Sequence, residues 1–138
     1  MMPTHNLYFR SATTLWLLVS CLLLASCVQK PVKVSEAERK AQDSIVSSIS
    51  GLDSLVTLQK RMEHEGNLLG SIVAYRELGK RVRNDSQFDD ALRFHSEGLT
   101  QAEALGDTLE VVQALNNIGT DYRRMGVLDM AQDYHYRA

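Results

Sequence analysis

The feature that most constrains this chain is its likeness to itself. Shifted by 40 positions (118 − 78), Leu78-Gly79 falls on Ile118-Gly119, Val82 on Tyr122 and Phe88 on Leu128. The same shift brings Ala91 onto Ala131, Phe94-His95 onto Tyr134-His135 and Gly98 onto Ala138. Ala74/Ala114, Arg83/Arg123 and Asp89/Asp129 coincide identically. One shift earlier, Leu52/Leu92, Glu63/Glu103 and Gly66/Gly106 coincide, with Asn67 under Asp107. Self-similarity at a fixed period in this range is the signature of a solenoid, in which each unit buries its apolar face against the next.

The unit reads as two helices. No polar/apolar alternation runs for a strand length, and two prolines leave room for long helices. In the first full unit, helix A is expected from about Leu68 to Arg83 and helix B from about Gln87 to Leu105. Ser86 with Asp89 is the expected N-terminal cap of helix B, and Gly106 its C-terminal stop. Asp107 with Glu110 then caps the next helix A. Gly79, Ala91 and Gly98, with Gly119, Ala131 and Ala138, are expected where helices come close. Leu78, Val82, Phe88, Phe94, Ile118, Tyr122, Leu128 and Tyr134 are expected to fill the space between.

These residues resemble a tetratricopeptide repeat (TPR) of the longer, roughly 40-residue type. The resemblance rests on "LNNIGTDYRRMGVLDMAQDYHYRA", residues 115–138. It is strong over 107–138, moderate over 67–106 and weak over 35–66. The first full unit departs from the family pattern at Val82, Ser86 and Gly98, where Tyr, Gly and Ala are usual. The fold expected is all-α, a TPR-like α-solenoid of about 2.5 repeats. Residues 35–66 would be an eroded unit, 67–106 a complete one, and 107–138 one cut within its second helix. An array normally ends in a polar capping helix. The chain therefore reads as the N-terminal part of a longer protein or as a truncated product.

The N-terminus is a separate object. After Arg10 no charge appears until Lys30, and the apolar centre Leu15–Ala25 would span roughly 16 Å as a helix, about half a ~30 Å hydrocarbon core. A positive start, a short apolar run and small residues at its end describe an export signal, here residues 1–26. An uncleaved anchor is the competing reading, because Ser11–Gln29 carries no charge. "LASC" at Leu24–Cys27 resembles the lipobox of bacterial lipoproteins, and "LVSC" at Leu18–Cys21 fits the same pattern. Cleavage before Cys21 would leave a greasy terminus, whereas cleavage before Cys27 leaves the polar "CVQKPVKVSEAERK". Cys27 is the expected lipidation site, followed by a tether over 27–34. Pro31 blocks helix there, and Ser35 and Glu38 form a capping box that opens the first helix. Several acyl chains on Cys27 are what the resemblance implies, since one chain alone anchors only marginally. The location expected is the bacterial cell envelope, with the protein held at a membrane.

The residues point away from catalysis. No HExxH, phosphate-binding glycine loop or surviving thiol nucleophile is present in the mature sequence. The pair Asp89-Asp90 sits in the first turn of a helix, where acids favour the dipole. His95 and His135 occupy one position in successive units, with no third or fourth ligand evident, so they read as packed or surface histidines rather than as a metal site. No metal and no cofactor is expected, and a net charge of −2 offers no basic field to nucleic acid.

In the TPR family the concave face of the helix A row holds peptide ligands. The resemblance places Arg76, Lys80 and Arg83 there from one unit, and Gln113, Asn116, Asn117, Thr120 and Arg123 from the next. Such basic and amide-bearing side chains suit a peptide carboxylate. The set partly resembles the carboxylate clamp of some chaperone-binding members, with Lys80 where Asn is usual. A plain solvated helix face is the alternative. The function expected is a non-catalytic scaffold for a protein or peptide ligand. The alternative is the periplasmic sensor section of a membrane-bound signalling protein with a kinase or DNA-binding output.

Overall fold

The chain divides between Lys30 and Pro31. The computed structural model describes residues 33–138, and the expected export signal, Cys27 and most of the expected tether lie outside them. Among the described residues the fold is all-α, with six helices and no strand: α1 Glu36–Ser47, α2 Leu52–His64, α3 Leu68–Asn84, α4 Phe88–Leu105, α5 Thr108–Met125 and α6 Leu128–Arg137. None of these helices is long and apolar enough to cross a membrane.

The helix starts follow local chemistry. Ser35 and Glu38 close the expected capping box, with Glu38 N–H donating to Ser35 Oγ at 3.2 Å and Ser35 N–H to Glu38 Oε2 at 2.8 Å. That hydrogen bonding, first from the Ser35 side chain and then from its backbone, holds the exposed Glu38 carboxyl below its ordinary range. Asn67 accepts from Gly70 N–H at 2.9 Å and starts α3, and Asp107 accepts from Glu110 N–H at 3.1 Å and starts α5.

The start of α4 differs from expectation. Its N-cap is Gln87 with no side-chain cap bond, and Ser86 instead holds φ +62°. The reason lies in the helix before it. Gly66, Ser86, Gly106 and Gly126 fall at steps of 20 residues, and all four take the left-handed conformation that ends a helix, with φ between +62° and +79°. At three of them the next N–H reaches back five residues to close the turn: Asn67 to Met62 O, Gln87 to Val82 O and Val127 to Tyr122 O, at 2.8–2.9 Å. Ser86 is thus a helix stop filled by a residue with a Cβ. Ser86→Gly is expected to stabilise the protein by about 1 kcal/mol, the usual cost of a left-handed L-residue. A chemical-denaturation midpoint at or below wild type would reject that account.

From α2 onward each helix packs on its neighbours in the chain, most extensively α3 on α4 and α4 on α5. In addition α1 lies against α3, and α3 against α5. The odd-numbered helices thereby form a continuous row, and the even-numbered ones pack on that row. Arg81 in α3 fixes the α1–α2 connection by donating to Ile49 O at 2.7 Å and Ser50 O at 3.1 Å.

The main apolar cluster joins Val46, Leu55, Leu58, Met62, Val73, Ala74 and Leu78, with Tyr75 and Phe94 against it. On α4, α5 and α6 the buried apolar residues are Ala91, Ala102, Ala114, Leu115, Ile118 and Ala131, four of them alanine. Of the expected space-fillers, Leu78, Val82 and Ile118 are buried. Phe88, Phe94, Tyr122 and Tyr134 are half-buried. Leu128 departs, at 66% exposed, because nothing described packs over the first turn of α6.

Small residues mark the close approaches. A Cβ built on Gly79 would meet His95 ring carbons at 2.6 Å, and one on Gly119 would meet His135 Cε1 at 2.8 Å. Each glycine therefore gives up its side-chain space to the imidazole 16 residues on (95 − 79, 135 − 119).

Candidate functional site

The odd-numbered row carries a seam of charge. Ser35 sets the phase of α1, which carries Arg39 toward α5. There Arg39 Nη2 donates to Asp107 at 2.6 Å and its Nε to Glu110 at 3.2 Å. Arg76, in the middle of α3, donates to Glu110 at 2.9 Å and to Asp43 of α1 at 2.7 Å, and it also contacts Gln113. Further along α3, Arg83 donates to Asp121 at 2.9 Å. Asp121 also takes a 2.5 Å hydrogen bond from His95 Nδ1, reaching across from α4. A carboxylate only accepts, so Nδ1 carries the proton there. Glu110, Asp121 and His95 are almost wholly buried.

Glu110 illustrates how the seam forms. Its spacing from Asp107 is that of a capping box, yet its carboxylate does not turn back to the helix start. Two guanidiniums in the interior, Arg39 and Arg76, hold it instead. A buried carboxylate requires paired charge and hydrogen bonds, which two arginines supply in full.

Asp107 sits beside it. Burial pushes its carboxyl up, but the Arg39 hydrogen bond and the N–H groups of Glu110 and Val34 outweigh that and hold it below its ordinary 3.8. At Glu77, burial again acts upward, and hydrogen bonding to Arg81 with the charges of Lys80 and Arg81 brings the carboxyl below 4.5. A carboxylate with a depressed folded-state value stabilises the fold above its unfolded value and loses that contribution as pH falls through the folded one. Stability is therefore expected to be level above about pH 5 and to drop below about pH 4. Thermal melts between pH 3 and pH 7 check this, and an unchanged Tm at pH 3 would refute it.

The expected groove residues divide. Arg76, Arg83 and Gln113 belong to the seam, with Arg83 also near Asn117 O at 3.4 Å. Asn117 donates to Gln113 O, and Thr120 to Asn116 O, both within α5. Asn116 accepts from His135 at 3.2 Å. Lys80 is half-exposed and pairs with Glu77 at 3.3 Å. Arg123 is exposed and has no carboxylate partner among the described residues.

Lys80 and Arg76 border an open cleft of about 420 Å³ between α1 and α3, which Lys40, Asp43, Ser44 and Glu77 also line. Its two acids temper the basic character expected of this face. A second space, of about 10 Å³, lies between Arg76, His95, Glu110 and Asn117 and is the size of one water molecule. Among the described residues no group of three or more His, Cys, Asp or Glu side chains could hold a metal ion.

Sequence reading did not single out Arg39, Asp43 or Asp121 for this face, and it took Asp107 and Glu110 only as caps. For Asp121 a signal existed: it follows Ala114 by seven positions and Ile118 by three, on the stripe that faces the core.

No protein-family model matches the chain, and no curated protein or solved structure matches it.

Proposed function

We propose that residues 35–138 are stacked tetratricopeptide-like units, held in the bacterial envelope by a lipid on Cys27, whose helix A row presents a protein or peptide ligand. The odd-numbered row is the observation that carries this reading. Helices in mutual contact form the inner, shorter arc of a stack, and the partly open cleft at Lys80 lies on that arc. The left-handed stops at 20-residue steps and the Gly79–His95 and Gly119–His135 pairs give it further support. Because Arg76 and Arg83 are engaged by carboxylates, the ligand contacts fall to Lys40, Lys80 and the amides of α5. An extended segment carrying both polar and acidic groups suits such a surface.

Two measurements test the proposal in cells of the source organism. A photo-crosslinking residue at Lys80 is expected to trap a discrete partner, whereas one at Lys60 on α2 is not. Equal trapping at the two positions would defeat the groove reading. Cys27→Ser is expected to release the protein from membranes, and continued membrane partitioning would defeat the lipid anchor while leaving the groove standing.

A further inference from the structure

The cleft between α1 and α3 carries its surplus charge at its two ends. The helices run side by side in the same direction. Asn67 Nδ2, at the start of α3, donates to Gln42 Oε1 at 3.4 Å, and Arg81, near its end, donates to Ile49 O and Ser50 O just past α1. Inside the cleft each acid is already matched. Asp43 holds Arg76 at 2.7 Å, and Glu77 holds Arg81 at 2.9 Å as well as Lys80 at 3.3 Å. Arg81 alone neutralises Glu77, so Lys80, 49% exposed, is a surplus cation. Lys40 is exposed and pairs with no carboxylate among the described residues, and residues 1–32 contain no Asp or Glu. Lys40 lies beside the first turn of α3, and Lys80 stands roughly ten residues, or 15 Å, further along it.

We infer that this cleft binds an extended segment of a partner protein that carries one acid for Lys40 and one for Lys80, about five residues apart, with no acid between them. The inference rests on the groove reading proposed above and names the ligand's charge pattern. An extended chain advances about 3.3 Å per residue, so five steps match the distance between the lysines. That distance exceeds the ~8–10 Å over which salt screens a charge, so each lysine recognises its own acid. Size excludes a helix. A cylinder 10 Å wide and as long as the cleft fills about 1,200 Å³, whereas the cleft holds about 420 Å³. Between the lysines, Asp43, 55% exposed, and Glu77, 26% exposed, repel any further acid. Val46 and Val73 form the floor there and Ser44 and Ser47 line one wall, so the middle of the segment is neutral, aliphatic and hydroxyl-bearing.

The test uses the full-length chain in uncharged detergent and a labelled synthetic peptide with blocked ends, Gly-Glu-Ser-Val-Thr-Ser-Glu-Gly, read by fluorescence anisotropy. Saturable binding is expected, weakened about two- to fivefold by K40A or by K80A, and by the product of the two losses in the double variant. K60A, on α2, is expected to leave it unchanged. Rearranging the peptide so that its two glutamates are adjacent is expected to weaken binding several-fold, and a third Glu in place of its Thr is expected to weaken it as well. Absent binding, equal affinity for the rearranged peptide, or tighter binding of the three-acid peptide would overturn the inference. A loss with K60A equal to that with K40A would overturn it in favour of bulk charge. Displacement of the peptide by inorganic polyphosphate at far lower concentration than by unlabelled peptide would overturn it in favour of a phosphate polymer. The groove reading fails separately. A partner trapped at Lys80 and not at Lys60 in cells, with no spacing preference among the peptides, removes this inference alone, whereas equal trapping at the two positions removes the reading beneath it.

Discussion

Asp121→Asn is expected to lower the stability of the protein by about 3–5 kcal/mol, the range for breaking a buried ion pair by removing one partner. The carboxylate is wholly buried and serves Arg83 and His95 together. An amide in its place turns an NH₂ toward one of two donors and leaves the guanidinium without its counter-charge. For a domain of this size the loss corresponds to a fall in Tm of at least about 10 °C. Asp43→Asn supplies the contrast. Asp43 pairs with Arg76 at 2.7 Å but is 55% exposed, so screening by solvent limits the effect to about 1 kcal/mol or less. Denaturation of the two variants side by side decides the matter. Equal losses would mean that burial of the pair at Asp121 has no energetic weight.

The second large effect is an asymmetry between two glycines that look alike. Gly79→Ala is expected to cost about 2–3 kcal/mol, whereas Gly119→Ala is expected to remain within about 1 kcal/mol of wild type. At both positions a new methyl meets an imidazole closer than 3 Å. His95 cannot retreat, because it is 2% exposed and bound to Asp121. His135 is exposed, with one 3.2 Å bond to Asn116, and can swing into solvent. The gain in helix propensity from Gly to Ala then offsets most of the remaining strain at 119. Melting curves that place the two variants together, or in the reverse order, would contradict this view of the two rings. Leu at 119 is larger than the imidazole's retreat can accommodate, and a cost of a few kcal/mol is expected there.

Helix boundaries were legible because caps and stops are local. Leu68 and Leu105 are the first and last residues of α3 and α4, as their flanking Asn67 and Gly106 indicate. Ser86 misled for a related reason. Serine is a common N-cap, and only its place in the 20-residue series of left-handed positions marks it as a stop. The charged seam was less legible. Arg76 and Arg83 look like groove cations when α3 is considered alone, and their counter-charges come from helices 33 to 38 residues away. Such pairings depend on how one helix rotates against another, which short-range patterns do not encode. Glu110 shows the difficulty in a single residue, since its capping-box spacing is genuine and its side chain nevertheless turns inward.

The reach of Arg39 to Asp107 and Glu110 has a consequence for how the molecule comes apart. Helices that touch only their chain neighbours can fray from either end, one pair at a time, with little penalty to the rest. Arg39 links residues 68 and 71 positions apart in sequence, and Val34 N–H joins Asp107 across 73. Releasing α1 therefore strips Asp107, the buried N-cap of α5, of its counter-charge and leaves Glu110 with Arg76 alone. The first helix and the fifth share one fate, and opening at the amino-terminal end is felt at the far side of the array as an all-or-none event rather than as gradual unravelling.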